Sequence, residues 1–183
     1  MSPTPPPRYT STAIALHWLI ALALFGLFGL GLYMTGLSLS PTKLKLYSWH
    51  KWAGVTVFVL VLVRLGWRLR HRPPALPESM PAVLRLAAAS AHFALYALML
   101  AIPLSGWLMS SAKGFQTVWF GVLPLPDLVA KDAALGDALA TLHMGLNWLL
   151  AALVVAHAGA ALKHHFIDRD TVLTRMLPGG AKP

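Results

Sequence analysis

Four long apolar runs alternate with short polar stretches along the chain, covering about residues 13–37, 50–69, 86–109 and 138–165. At 1.5 Å per residue, each run is long enough to cross the hydrocarbon core of a bilayer as an α-helix. The pattern predicts an all-α fold, an integral membrane four-helix bundle with both termini on the same side. The first run is too long for the core of a signal peptide and lacks a convincing cleavage site, so it is read as a retained anchor. Thr10, Ser11 and Thr12 are its candidate caps. Pro103 falls inside the third run, where neighbouring helices can satisfy the backbone that a proline frees.

The polar stretches complete the plan. Residues 1–12 are rich in proline and predict a disordered cytoplasmic tail, and residues 38–48 predict a short polar turn. The arginine- and proline-dense segment RLRHRPPALPESMPAVLR is a loop. Residues 110–137 form the longest connection, with Trp119 and Phe120 expected in an aromatic belt at the bilayer surface. Residues 167–183 read as a polar cytoplasmic tail.

Composition strengthens the membrane reading. The chain of 183 residues is 57% hydrophobic and 11% charged, against about 25% charged in soluble domains. It has no cysteine, which excludes a disulfide framework, a thiolate metal site, an iron–sulfur cluster and covalent haem attachment through Cys-x-x-Cys-His. The net charge of +9 invites a nucleic-acid reading, but the basic residues cluster at the ends of the apolar runs, where they report topology; no nucleic-acid partner is expected. Ten of the fifteen lysines and arginines fall on the side that holds the termini and the central arginine loop. The positive-inside rule then makes that side cytoplasmic.

Topology sorts the histidines. The first run travels outward, putting His17 near the inner surface; the second travels inward, putting His50 near the outer surface. The fourth travels inward with His143 outside and His157 fourteen residues later, about four turns and roughly 21 Å deeper on nearly the same helix face. Direction of travel therefore pairs His17 with His157 on the inner side and His50 with His143 on the outer side. Zinc or copper usually takes three or four protein ligands, and the runs offer no cysteine or spare carboxylate. A b haem needs two axial histidines, brings its own apolar macrocycle and approaches helices where residues are small. Two haems, with all four histidines as axial ligands to iron, match the two pairs. Gly26, Gly29, Gly31, Gly54, Gly106, Gly145 and Gly159 give room, although small residues also serve ordinary helix packing. His92 has no partner at its depth and is read as structural, with a haem propionate or a quinone pocket as its other options. His71 is read as solvated. Arg64 and Arg68 are placed to pair with haem propionates or to lie among lipid headgroups.

The segments IALHW around His17, YSWHKWAG around His50, VLVRLGWRLR, AHFALY, IPLSGW and AHAGAALKHHFIDRDTVLTRMLP together resemble the bacterial cytochrome b561 family, small di-haem proteins of the inner (cytoplasmic) membrane. The resemblance covers nearly the whole chain; the outer loop departs from it apart from VWFGV. It implies axial ligation at His17, His50, His143 and His157, and a quinone contact at His164. It also implies an oxidoreductase that oxidises superoxide at the outer face and reduces ubiquinone. Lys43, Lys45, Lys51 and Lys113 flank the outer pair, where they could steer an anion or simply anchor helix ends. The alternative is an electron-carrying anchor subunit between quinone and a partner dehydrogenase or hydrogenase. A histidine-based transporter or scaffold is the remaining class, with no inverted repeat to support it.

Overall fold

A computed structural model describes residues 8–77 and 80–179. The expected tail over residues 1–7 lies outside the described residues. Four helices make up the body: α1 Ser11–Thr35, α2 Pro41–Arg70, α3 Ala82–Ala112 and α4 Ala133–Phe166. All four are long and apolar enough to span a membrane. Two short strands, β1 Val118–Trp119 and β2 Leu123–Pro124, pair antiparallel between α3 and α4.

The helices begin earlier than the apolar runs because polar residues start them. The Thr10 side chain accepts from the Ala13 amide at 3.2 Å and opens α1 inside the stretch expected to be tail. The turn expected over 38–48 is mostly helix. Ser40 Oγ accepts from the Lys43 amide at 3.2 Å, and Pro41 follows at the first helical position, where its missing N–H costs nothing. Asp132 starts α4 in the same way, accepting from the Leu135 amide at 3.0 Å. α3 runs through Pro103 without ending.

α1 packs along α2 and α3 packs along α4, with the two hairpins joined where α2 meets α3. Ile20, Val57 and Val61 form one buried cluster, with Leu24, Tyr96 and Met99 against it. Leu98, Ile102 and Leu150 form the other. α4 makes far fewer close backbone approaches to α1 and α2 than to α3. Side chains such as Leu22, Phe25, Phe93 and Val155 face outward from the bundle, as a lipid solvent requires.

Beyond α4 the chain does not trail away. It folds back across the end of the bundle where α1 begins. Trp18 Nε1 donates to Met176 O at 2.8 Å and Arg8 Nη2 to Leu177 O at 2.8 Å. Arg175 Nη1 donates to Ala75 O at 2.7 Å. Both ends of the described chain therefore meet at one end of the bundle.

Candidate functional site

At that same end, His17 on α1 and His157 on α4 face each other with ring centroids 6.3 Å apart and planes at 65°. Two imidazoles on opposite sides of one metal ion, each with a metal–nitrogen bond of about 2.0 Å, put their ring centres roughly 6.2 Å apart. The spacing of the pair would let His17 and His157 hold one ion between them. His92, on α3, lies 5.4 Å from His157 at 67°. That is too close for opposite faces of one ion, so it is an edge-to-face contact between rings. His92, left without a partner by its depth in the sequence, thus packs against one member of the inner pair.

Arg64 closes this site from α2. Its Nη1 donates to Ala13 O at 2.6 Å and its Nε to Tyr96 Oη at 3.0 Å. Its Nη2 lies 3.5 Å from His17 Nδ1. Arg68 stands over the Tyr96 ring, 5.9 Å from its centroid. Among the described residues, no carboxylate forms a salt bridge with either arginine. Both line a small, open surface recess with Tyr9, Trp67 and Tyr96, a setting suited to a carboxylate or phosphate. His71 stacks on Trp67 at 4.0 Å and is exposed.

At the opposite end, His143 Nδ1 lies 3.1 Å from Ile102 O and 3.0 Å from Ser105 Oγ. The buried Ser105 hydroxyl spends its own proton on Ile102 O at 2.8 Å, so toward the ring it can only accept. Both neighbours therefore place the imidazole proton on Nδ1 and leave Nε2 bare, the state a metal requires. His50, on α2, is within electrostatic range of His143. Its Nδ1 is the one buried side-chain nitrogen or oxygen among the described residues without a hydrogen-bond partner, an orphan that points to a missing neighbour. A glycine is needed beside His143 and only makes ordinary room beside His50. A Cβ on Gly31 would stand 3.5 Å from His50 Cε1, and one on Gly106 would stand 3.1 Å from His143 Cε1. Each histidine pair takes one ring from α4 and one from a helix whose backbone approaches α4 little, the separation that a flat apolar group between them would need. The residues present fit two b haems.

His164 stands in the last turn of α4 with Nδ1 2.7 Å from Asp170 Oδ2 and 3.2 Å from Asp168 Oδ2. The ligand atoms of this trio lie within 4.8 Å of one another. The Lys163 ammonium already sits 2.7 Å from Asp168 Oδ2, where it takes the place of a cation.

The loop between α3 and α4 is built around a hairpin. Phe120 and Gly121 both adopt left-handed backbone, with φ of 52° and 72°, the tight turn that joins β1 to β2. Trp119, expected in an aromatic belt, donates from Nε1 to Trp52 O at 3.2 Å and Thr56 Oγ1 at 3.3 Å. Trp52 Nε1 returns a bond to Val118 O, and Trp107 Nε1 holds Pro126 O at 3.0 Å. The hairpin is thereby pinned within a turn of His50. The flanking lysines each have a local partner. Lys51 donates to Phe115 O, Lys43 to Leu37 O and Lys113 to Asp137, while Lys45 stands over the Trp49 ring.

The family model for prokaryotic cytochrome b561 matches residues 8–179. Cytochrome b561 homolog 2 of Escherichia coli (strain K12) is 40% identical over 173 residues, spanning 94% of this chain and 92% of its own length. Homolog 1 of the same organism is 32% identical over 177 residues, spanning 93% and 97%. A protein of Yersinia pestis named probable superoxide oxidase CybB is 27% identical over 172 residues, spanning 93% and 96%. With its bundle, its facing histidines and a match along nearly its whole length, the chain belongs to the prokaryotic cytochrome b561 family, multi-pass bacterial membrane proteins that transfer electrons through haem b.

Proposed function

We propose that the chain holds two b haems, one between His17 and His157 and one between His50 and His143, and carries electrons from superoxide at the outer face of the inner membrane to ubiquinone at the cytoplasmic face. The 6.3 Å spacing of His17 and His157 carries the reading, and the name of the Yersinia pestis relative supports the donor. Bound haem supplies reversible one-electron chemistry at iron. The protein supplies the rest. Ile102 and Ser105 fix His143 in the tautomer that offers Nε2. Arg64 brings a cation to the inner pair, where it can hold a haem carboxylate. The tryptophan-pinned hairpin shields the outer end, and the lysines around it favour approach of a small anion. His164 faces the quinone, and the basic inner end, with both termini, is cytoplasmic.

Reduced-minus-oxidised spectra with haem counted per chain test ligation, and superoxide-driven ubiquinone reduction in proteoliposomes tests the reaction. Two low-spin b haems and quinone reduction are expected. Two haems without superoxide-driven reduction would refute the donor and leave a carrier for a partner dehydrogenase or hydrogenase. One haem or none would refute the ligand assignment.

A further inference from the structure

We propose that Asp170 is a positioning residue for quinone reduction: it holds the Nδ1–H of His164, so that Nε2 is the nitrogen that receives a proton from water and passes it to the quinone oxygen. This rests on the reading of His164 as the residue that faces the quinone.

The contact is built rather than incidental. α4 stops at Phe166, and the amides of Ile167 and Asp168 both bond to Lys163 O, at 2.9 and 3.1 Å. Arg169 then turns the chain with φ 53°, a conformation that residues with a side chain rarely adopt. This turn brings the Asp170 amide to His164 O at 3.0 Å. The carboxylate is fixed on both sides. Oδ1 accepts from the Val172 amide at 2.9 Å, and Oδ2 lies 2.7 Å from His164 Nδ1. The competing carboxylate, Asp168, is taken up by Lys163 Nζ at 2.8 and 2.7 Å. His164 is 19% exposed and Asp170 22%, so the pair is shielded yet still open to water.

A carboxylate has no proton to donate, so it accepts from Nδ1 and settles the tautomer. A singly protonated ring then keeps Nε2 bare, and each further proton lands there. Two superoxide anions lose one electron each and leave as dioxygen. The quinone takes both electrons and two protons, forming two O–H bonds. His164 Nε2 gives one of those protons and recovers it from water at the inner face, and the second comes from the same water.

The test uses the full-length, haem-loaded protein in proteoliposomes with ubiquinone-1 and the variants Asp170→Asn and Asp170→Glu. An asparagine side chain can either donate or accept, so it frees the tautomer while preserving shape. Asp170→Asn is expected to keep its haem content, midpoint potentials and KM for the quinone, with kcat falling roughly tenfold or more. Asp170→Glu should recover much of kcat. ¹⁵N spectra of histidine-labelled protein should show His164 with Nδ1–H in the unmodified chain and mixed tautomers in Asp170→Asn. Turnover of Asp170→Asn within twofold of the unmodified protein, or Asp170→Glu no better than Asp170→Asn, would overturn the proposal. So would Nε2–H as the resting tautomer of the unmodified chain. Failure of the unmodified protein to reduce quinone with any donor would overturn the underlying reading and the proposal with it.

Discussion

Adding one methyl group at Gly106 should loosen the outer haem and leave the inner one alone. The new Cβ would stand 3.1 Å from His143 Cε1 and 3.4 Å from Nδ1, whereas carbon atoms in comfortable contact are about 3.5–4.0 Å apart. The ring must therefore retreat by roughly half an ångström. It is not free to do so, because Nδ1 is held by Ile102 O at 3.1 Å and Ser105 Oγ at 3.0 Å. A retreat of that size gives up one of these bonds, a net loss of about 1 kcal/mol, and overpacking strain adds about 1–3 kcal/mol. A total of about 2–4 kcal/mol corresponds to binding at that site weaker by roughly thirtyfold or more. Titrating apo-protein with haemin in detergent, with stoichiometry and the reduced α-band recorded, separates the two sites. Gly106→Ala should show one tight site and one weakened site. Gly66→Ala, at an exposed glycine with nothing within 4 Å of the added carbon, should match the unmodified protein. Two tight sites with unchanged spectra in Gly106→Ala would refute the placement of His143 as an outer ligand held against α3.

Replacing His17 or His157 by Ala should abolish the same haem signal, and His50→Ala or His143→Ala the other; crossed pairs in the optical spectra would overturn the pairing. Ser105→Ala leaves the ring with Ile102 O alone and should weaken outer haem binding about tenfold, the low end for loss of a supporting partner, in the same titration. Arg64→Gln removes a cation beside the inner pair, which favours the oxidised iron, and should lower the inner midpoint potential by on the order of tens of millivolts; an unchanged redox titration would count against Arg64 acting there. Trp52→Phe removes the bond to Val118 O and should destabilise the hairpin by about 1 kcal/mol, seen as several-fold faster hydrogen exchange around residues 118–124 with little change elsewhere.

The bundle was legible in the sequence because lipid permits few solutions, and four apolar runs of that length leave only the question of how they pair. Direction of travel pairs the histidines by depth, and the structure puts the His17 and His157 rings 6.3 Å apart. The helix starts at Ser40 and Asp132 were in principle readable as caps, but polarity over 41–49 masked the first. The folded C-terminal segment was not readable. It is held by Met176 O and Leu177 O, and a carbonyl carries no mark of its partner in the sequence. The same holds for Arg64 on Ala13 O. The position of His92 depends on the rotation of α3 about its axis, which long-range packing sets.

Both histidine pairs take one ring from α4, which follows α1, α2 and α3 in the chain. A chain inserted only as far as α3 carries His17 and His50 without their opposite numbers, so on the proposed ligation neither site would close around iron. The segment that ties Trp18 and Arg8 to residues 176 and 177 emerges later still. On the proposed ligation, cofactor capture would be conditional on insertion of α4, and a chain truncated before it would stay colourless rather than become a half-wired conductor in the membrane.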